Sequence, residues 1–84
     1  MTSDTMLQAQ AVEAEKVAGT IRALLAGRGP ELQGAVLVQL LAMFVAGHAP
    51  ELREEILMVH IDAARQLVPI MEQELGDPWK DMRN

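Results

Sequence analysis

The sequence predicts an all-α fold, a small antiparallel three-helix bundle that closes as a homodimer. Half of the 84 residues are apolar, but only Phe44 and Trp79 are aromatic and tyrosine is absent. A core built from aliphatic side chains and methionine favours helices over sheets. The motif Gly-x-x-Pro-Glu-Leu occurs at Gly27 and again at Gly47. Because glycine ends helices and proline begins them, the two motifs divide a single domain, residues 1–84, into three helices.

Helix one is expected over residues 3–26. Asp4 suits the positive end of its dipole, and apolar residues recur at a helical spacing along a stripe about 100° wide. The stripe comprises Met6, Leu7, Ala14, Val17, Ile21, Leu24 and Leu25. Gly27 can take the left-handed conformation that ends a helix, and Pro30 suits the first turn of the next one. Helix one is therefore amphipathic, with one face to bury.

Helix two, over residues 30–46, carries bulky apolar residues around more than half of its circumference. Its remaining side is small or uncharged, and consists of Ala35, Gln39, Ala42 and Ala46. These four residues follow a spacing of four, three and four, which is typical of a helix-packing seam. Exposed helix surface usually carries charge, so we expect this seam to pack against another helix, within the chain or in a second subunit. The alternative is that the seam faces solvent.

Helix three is expected over residues 50–75 and has a wide apolar face. Its apolar residues span about 200° of arc, which one neighbouring helix cannot cover. Pro69 lies inside this pattern. It removes one helical N–H and crowds the carbonyl four residues earlier, so the sequence predicts a kink there or a break followed by a short fourth helix. Gly76 and Pro78 mark the end of the helix.

The last segment, residues 77–84, is a polar tail that contains the only tryptophan, Trp79. A large aromatic side chain in such a position either folds back over the end of the bundle or serves as an anchor for a partner protein. We expect it to fold back, because a small domain has few apolar side chains of that size to spare.

The apolar faces of helices two and three exceed what three helices can bury among themselves. Exposed apolar surface of this kind usually marks an interface. The simplest closure is a symmetric homodimer that forms a six-helix bundle, largely through helices two and three.

Charge and composition exclude several classes of partner. The net charge is −5, and the seven Lys and Arg residues are scattered rather than clustered. Binding of nucleic acid or an anionic membrane needs clustered basic residues, so neither is expected. The apolar run of helix two is shorter than the roughly 20 residues of a membrane-spanning helix. With no cysteine and no signal-peptide pattern at the amino terminus, we expect a cytoplasmic protein without disulfides.

His60 is the residue whose chemical role matters most, because it lies near the middle of the apolar arc of helix three. Burial there would make its protonation and hydrogen bonding important. The favoured interpretation is a hydrogen-bonded histidine in the core or at an interface. The alternative is a ligand, a pH sensor or a catalytic base. Metal sites normally need three or four ligands, and His48 is the only other histidine. We therefore expect no metal and no cofactor.

No pair of residues forms a nucleophile with its base, and Ser3 is the only serine. We expect no catalytic residues and no enzyme activity. The sequence favours a noncatalytic helical interaction or accessory module that homodimerises through apolar helix faces. Its acidic surface would face a protein partner that the sequence does not identify. The alternative is a small-ligand or metal-binding helical bundle in which His60 lines an internal cavity.

Overall fold

A computed structural model of the chain describes residues 2–76, with side chains from Asp4 onward. These residues form three α-helices and no strand, so the all-α prediction is confirmed. The elements are α1 (Thr2–Leu25), α2 (Pro30–Ala46), a 3-10 turn (Pro50–Leu52) and α3 (Arg53–Leu75). The predicted tail with Trp79 lies outside the described residues, and its folding back stays a prediction.

The chain divides into two units, Met1–Val38 and Gln39–Asn84, with the boundary inside α2. The first unit contains α1 and the beginning of α2. The second contains the end of α2, the 3-10 turn and α3. None of the described side chains in either unit is buried. The antiparallel packing of the three helices and the closure as a dimer therefore stay predictions.

In the first unit, α1 ends where the sequence places a glycine. Gly27 has a φ of +80°, which is the left-handed conformation that favours this residue type. Of the α1 side chains from Asp4 onward, only Ile21 and Leu25 are half-buried, and both lie near this end. Pro30 is the first residue of α2, where its missing N–H removes no helical hydrogen bond.

In the second unit, helix three differs from its sequence prediction in two respects. The turn that begins at Pro50 is a 3-10 turn, closed by a hydrogen bond from the Leu52 N–H to the Ala49 carbonyl at 2.9 Å, and the α-helix starts at Arg53. Of the two outcomes predicted at Pro69, the break does not occur, because α3 continues through this residue to Leu75, and the kink stays a prediction. Arg65 is exposed, so water can reach the carbonyl that Pro69 leaves without a helical donor. Within residues 2–76, no helix has the length and apolarity needed to cross a membrane.

Candidate functional site

The four residues of the predicted seam all lie on α2 and are all exposed. Ala35 belongs to the first unit, and Gln39, Ala42 and Ala46 belong to the second. Each of these positions is therefore open to solvent or to a second subunit. Their role as an interface stays a prediction.

His60 is exposed on α3, so it is not a core residue of this chain. Its Nδ1–H donates a hydrogen bond to the Ile56 carbonyl at 2.7 Å, one turn earlier in the same helix. The imidazole ring stands edge-on to Phe44, with ring centroids 4.9 Å apart and an angle of 74° between the planes. Edge-to-face contacts of this geometry are favourable for aromatic pairs. The ring of His60 thus connects α3 to the last turn of α2.

A second histidine approaches the same phenylalanine. The Nδ1–H of His48 donates to the Phe44 carbonyl at 2.8 Å, and its ring meets that of Phe44 edge-on, at 4.9 Å and 76°. Because a carbonyl only accepts hydrogen bonds, both histidines donate through Nδ1, which leaves the lone pair of the neutral ring on Nε2. Sequence reasoning considered His48 only as a second histidine and missed this cluster. The signal was the four-residue spacing between Phe44 and His48, which puts the two side chains on one face.

The last four carbonyls of α2 all accept a hydrogen bond. Carbonyls at a helix end have no partner within the helix and must find one elsewhere. The donors and acceptors are Gly47 N–H to Met43 at 3.2 Å, His48 Nδ1–H to Phe44 at 2.8 Å, His48 N–H to Val45 at 3.1 Å and Arg53 Nη2–H to Ala46 at 3.0 Å. The end of α2 is therefore fully capped by residues of the corner between α2 and α3.

Arg53 holds this corner together. Besides its bond to Ala46, its Nε–H donates to the His48 carbonyl at 3.0 Å, and the residue is half-buried. A guanidinium can reach two carbonyls at once because its donors lie in a rigid planar fork. Sequence reasoning also missed Arg53. Its signal is a cation on the first residue of α3, where the helix dipole disfavours positive charge unless another contact compensates.

The corner between α1 and α2 repeats this hydrogen-bonding scheme 20 positions earlier. Arg28 takes the place of His48: its Nε–H donates to the Leu24 carbonyl at 2.9 Å and its backbone N–H to the Leu25 carbonyl at 3.1 Å. Gln33 takes the place of Arg53, with Nε2 donating to the carbonyls of Arg28 at 2.8 Å and Leu25 at 3.0 Å. The two copies of the sequence motif therefore share a local structure. One difference is that Gly27 has a positive φ and Gly47 does not.

The polar side chains of the two corners are used to cap helices. Among the described residues, no group of three or more His, Asp or Glu side chains could hold a metal ion. The contacts of these side chains are hydrogen bonds to backbone carbonyls.

No protein-family model, curated protein or solved structure matches this chain.

The other prominent feature is apolar surface. Among the described residues, nineteen large apolar side chains are exposed, by fractions from 41% for Met71 to 69% for Met43. They occur on all three helices. On α2 they include Leu37, Val38 and Leu40, and on α3 they continue to Leu75. Exposed apolar faces on helices of this length are typical of surfaces that bind another helix.

Proposed function

We propose that this chain is a noncatalytic helical interaction module that homodimerises through apolar helix faces. The observation that carries the proposal is the lack of burial: no described side chain is buried, and nineteen large apolar side chains are exposed. The net charge of −5 gives the outer surface an acidic character that suits a protein partner with basic groups.

The magnitude of this exposure supports association. Full burial of a large apolar side chain stabilises a protein by about 1.5–3 kcal/mol, so covering the exposed half of one contributes about 1 kcal/mol. The stabilisation gained by covering all nineteen exposed side chains therefore has an upper limit of about 20 kcal/mol per chain. The net stability of a folded domain is only about 5–15 kcal/mol. Covering even half of this surface in a dimer would therefore contribute as much as the whole stability of an ordinary domain.

A second copy of the chain is the simplest partner because a symmetric dimer covers like faces with like faces. The ligand-binding alternative has less support. His60 is exposed, its Nδ1–H is already bonded to Ile56, and its ring contacts Phe44, so its known contacts are structural.

Sedimentation velocity and native mass spectrometry together test the proposal. We expect a species of twice 9.2 kDa at micromolar concentration, without a bound small molecule. A monomer that persists at high micromolar concentration would refute self-association. A stoichiometric adduct that disappears in the His60→Gln variant would instead support the ligand-binding bundle.

A further inference from the structure

Helix α3 carries a continuous apolar seam along its length. The seam residues are Leu57, Ile61, Ala64, Val68, Met71 and Leu75, spaced alternately by four and three residues. This spacing keeps all six on one side of the helix, as in the contact line of a coiled coil. Leu57 and Ile61, near the corner with α2, are half-buried, whereas the other four are exposed. The seam spans about 27 Å at 1.5 Å per residue.

We propose that a second copy of the chain docks on this seam, with its own α3 antiparallel and centred on Gln66. The inference rests on the proposed function, because it names the surface through which the dimer forms. In this register every seam residue meets a seam residue. Leu57 pairs with the partner's Leu75, Ile61 with the partner's Met71, and Ala64 with the partner's Val68. The twofold symmetry repeats each pair.

Charge complementarity favours this register and orientation. On one flank of the seam, the antiparallel arrangement places each Arg65 between the partner's Arg65, near the twofold axis, and the partner's Glu72, so two pairs of opposite charges accompany one contact between like charges. On the other flank, Leu67 meets the partner's Leu67 near the twofold axis. A parallel arrangement would instead place Leu67 beside the partner's Glu72 and His60 beside the partner's Arg65. It would form no pair of opposite charges.

The contacts within one chain leave Arg65 available for this role. Its only ion pair in the described structure is with Asp62, at 3.3 Å, and the two side chains are 73% and 59% exposed. Pairs as exposed as this contribute little, so Arg65 can turn toward a partner at small cost. Pro69 lies beside the seam rather than in it, and α3 is unbroken there. The seam therefore continues past Pro69 to Leu75.

Distances between spin labels test the orientation. The chain contains no cysteine, so one introduced cysteine gives one labelled site per subunit. Gln66 and Glu55 are both exposed, and neither belongs to the seam. In the antiparallel dimer the Gln66→Cys labels lie at the same height along the axis on the outer sides of the two helices, so the two helices and the label arms separate them. The Glu55→Cys labels are additionally offset along the axis by about 33 Å, at 1.5 Å per residue.

We expect the distance from Gln66→Cys to be shorter than the distance from Glu55→Cys, measured by pulsed electron paramagnetic resonance, because only the second contains the axial offset. A dimer with two similar distances would be parallel, and a dimer with a longer distance from Gln66→Cys than from Glu55→Cys would use another surface. Either result overturns this inference but leaves the homodimer standing. A monomer by sedimentation, with no dipolar coupling at either site, overturns both proposals.

A charge exchange tests the register independently. Arg65→Glu places like charges together at two symmetric sites, so we expect the dimer to bind about tenfold more weakly at low salt. The double variant Arg65→Glu with Glu72→Arg should restore the affinity, because the pairs reform with reversed signs. The intrahelical pair to Asp62 is lost in both variants and serves as an internal control. Failure of the second substitution to restore binding would overturn the register.

Discussion

Replacing Arg53 with alanine should destabilise the corner between α2 and α3. The guanidinium donates to the carbonyls of His48 and Ala46, both at 3.0 Å, and completes the cap on the end of α2. Without it, those two carbonyls depend on water. The ring contacts of Phe44 with His48 and His60 would remain, so the variant isolates the contribution of the cap.

The two lost hydrogen bonds determine how far the free energy of unfolding falls in Arg53→Ala. A hydrogen bond from a charged donor contributes about 1.5–3 kcal/mol when water is excluded. Arg53 is only half-buried, so solvent weakens its two hydrogen bonds, and each should contribute about 1 kcal/mol to the free energy of unfolding. Removing a cation from the first residue of α3 restores about 0.5 kcal/mol, since the helix dipole disfavours it there. The free energy of unfolding should therefore fall by about 1.5 kcal/mol.

Thermal unfolding followed by circular dichroism measures this loss. At about 4–8 °C per kcal/mol for a domain of this size, the midpoint of Arg53→Ala should lie about 6–12 °C below that of the parent chain. Arg53→Lys keeps the charge but cannot fork to both carbonyls, so it should lose one bond, about 1 kcal/mol or two-thirds of the loss in Arg53→Ala. Lys16→Ala removes an exposed cation from α1 and should change the midpoint by less than about 3 °C. If Arg53→Ala behaves like Lys16→Ala, the capping argument is wrong.

Three further predictions follow from the same structure. Gly27→Ala should lower the free energy of unfolding, measured in urea, by about 1 kcal/mol, because the φ of +80° strains any residue with a Cβ. Gly29 has a negative φ and open space around it, so Gly29→Ala should be neutral or slightly stabilising. Phe44→Leu removes two edge-to-face contacts and should lower the free energy of unfolding by about 1–2 kcal/mol. Met43 is 69% exposed, so the control Met43→Leu should change that free energy by less than about 0.5 kcal/mol. Equal losses in the two variants would refute the aromatic cluster. Tenfold dilution of the parent chain should lower its thermal midpoint by about 4 °C if folding and dimerisation are coupled, and a midpoint independent of concentration would contradict that coupling.

Local signals in the sequence predict the helices well. Glycine and proline act through the backbone of the few residues around them, so the motifs at Gly27 and Gly47 locate the helix ends without knowledge of the rest of the fold. The left-handed conformations of Gly27 and Gly76 follow from the same chemistry. Of the kink and the break predicted at Pro69, the break is absent, because the cost of one missing helical hydrogen bond is lower where water can replace it.

The candidate site was harder to predict because its residues come from different elements. The helical pattern placed His60 in an apolar arc, but a periodicity reports which residues share a face and not what covers that face. The structure leaves His60 exposed and gives it Phe44 and the Ile56 carbonyl as neighbours. The role of Arg53 depends on where the end of α2 lies relative to the start of α3.

The sequence by itself determined that the chain is helical and, to within a few residues, where its helices begin and end. These properties depend on backbone preferences and side-chain chemistry within a few turns. Only the tertiary structure decided that two histidines share one phenylalanine, that Arg53 caps α2, and that no described side chain is buried. Those outcomes depend on contacts between residues of different elements. The backbone conformation of the corners sets the geometry of these contacts.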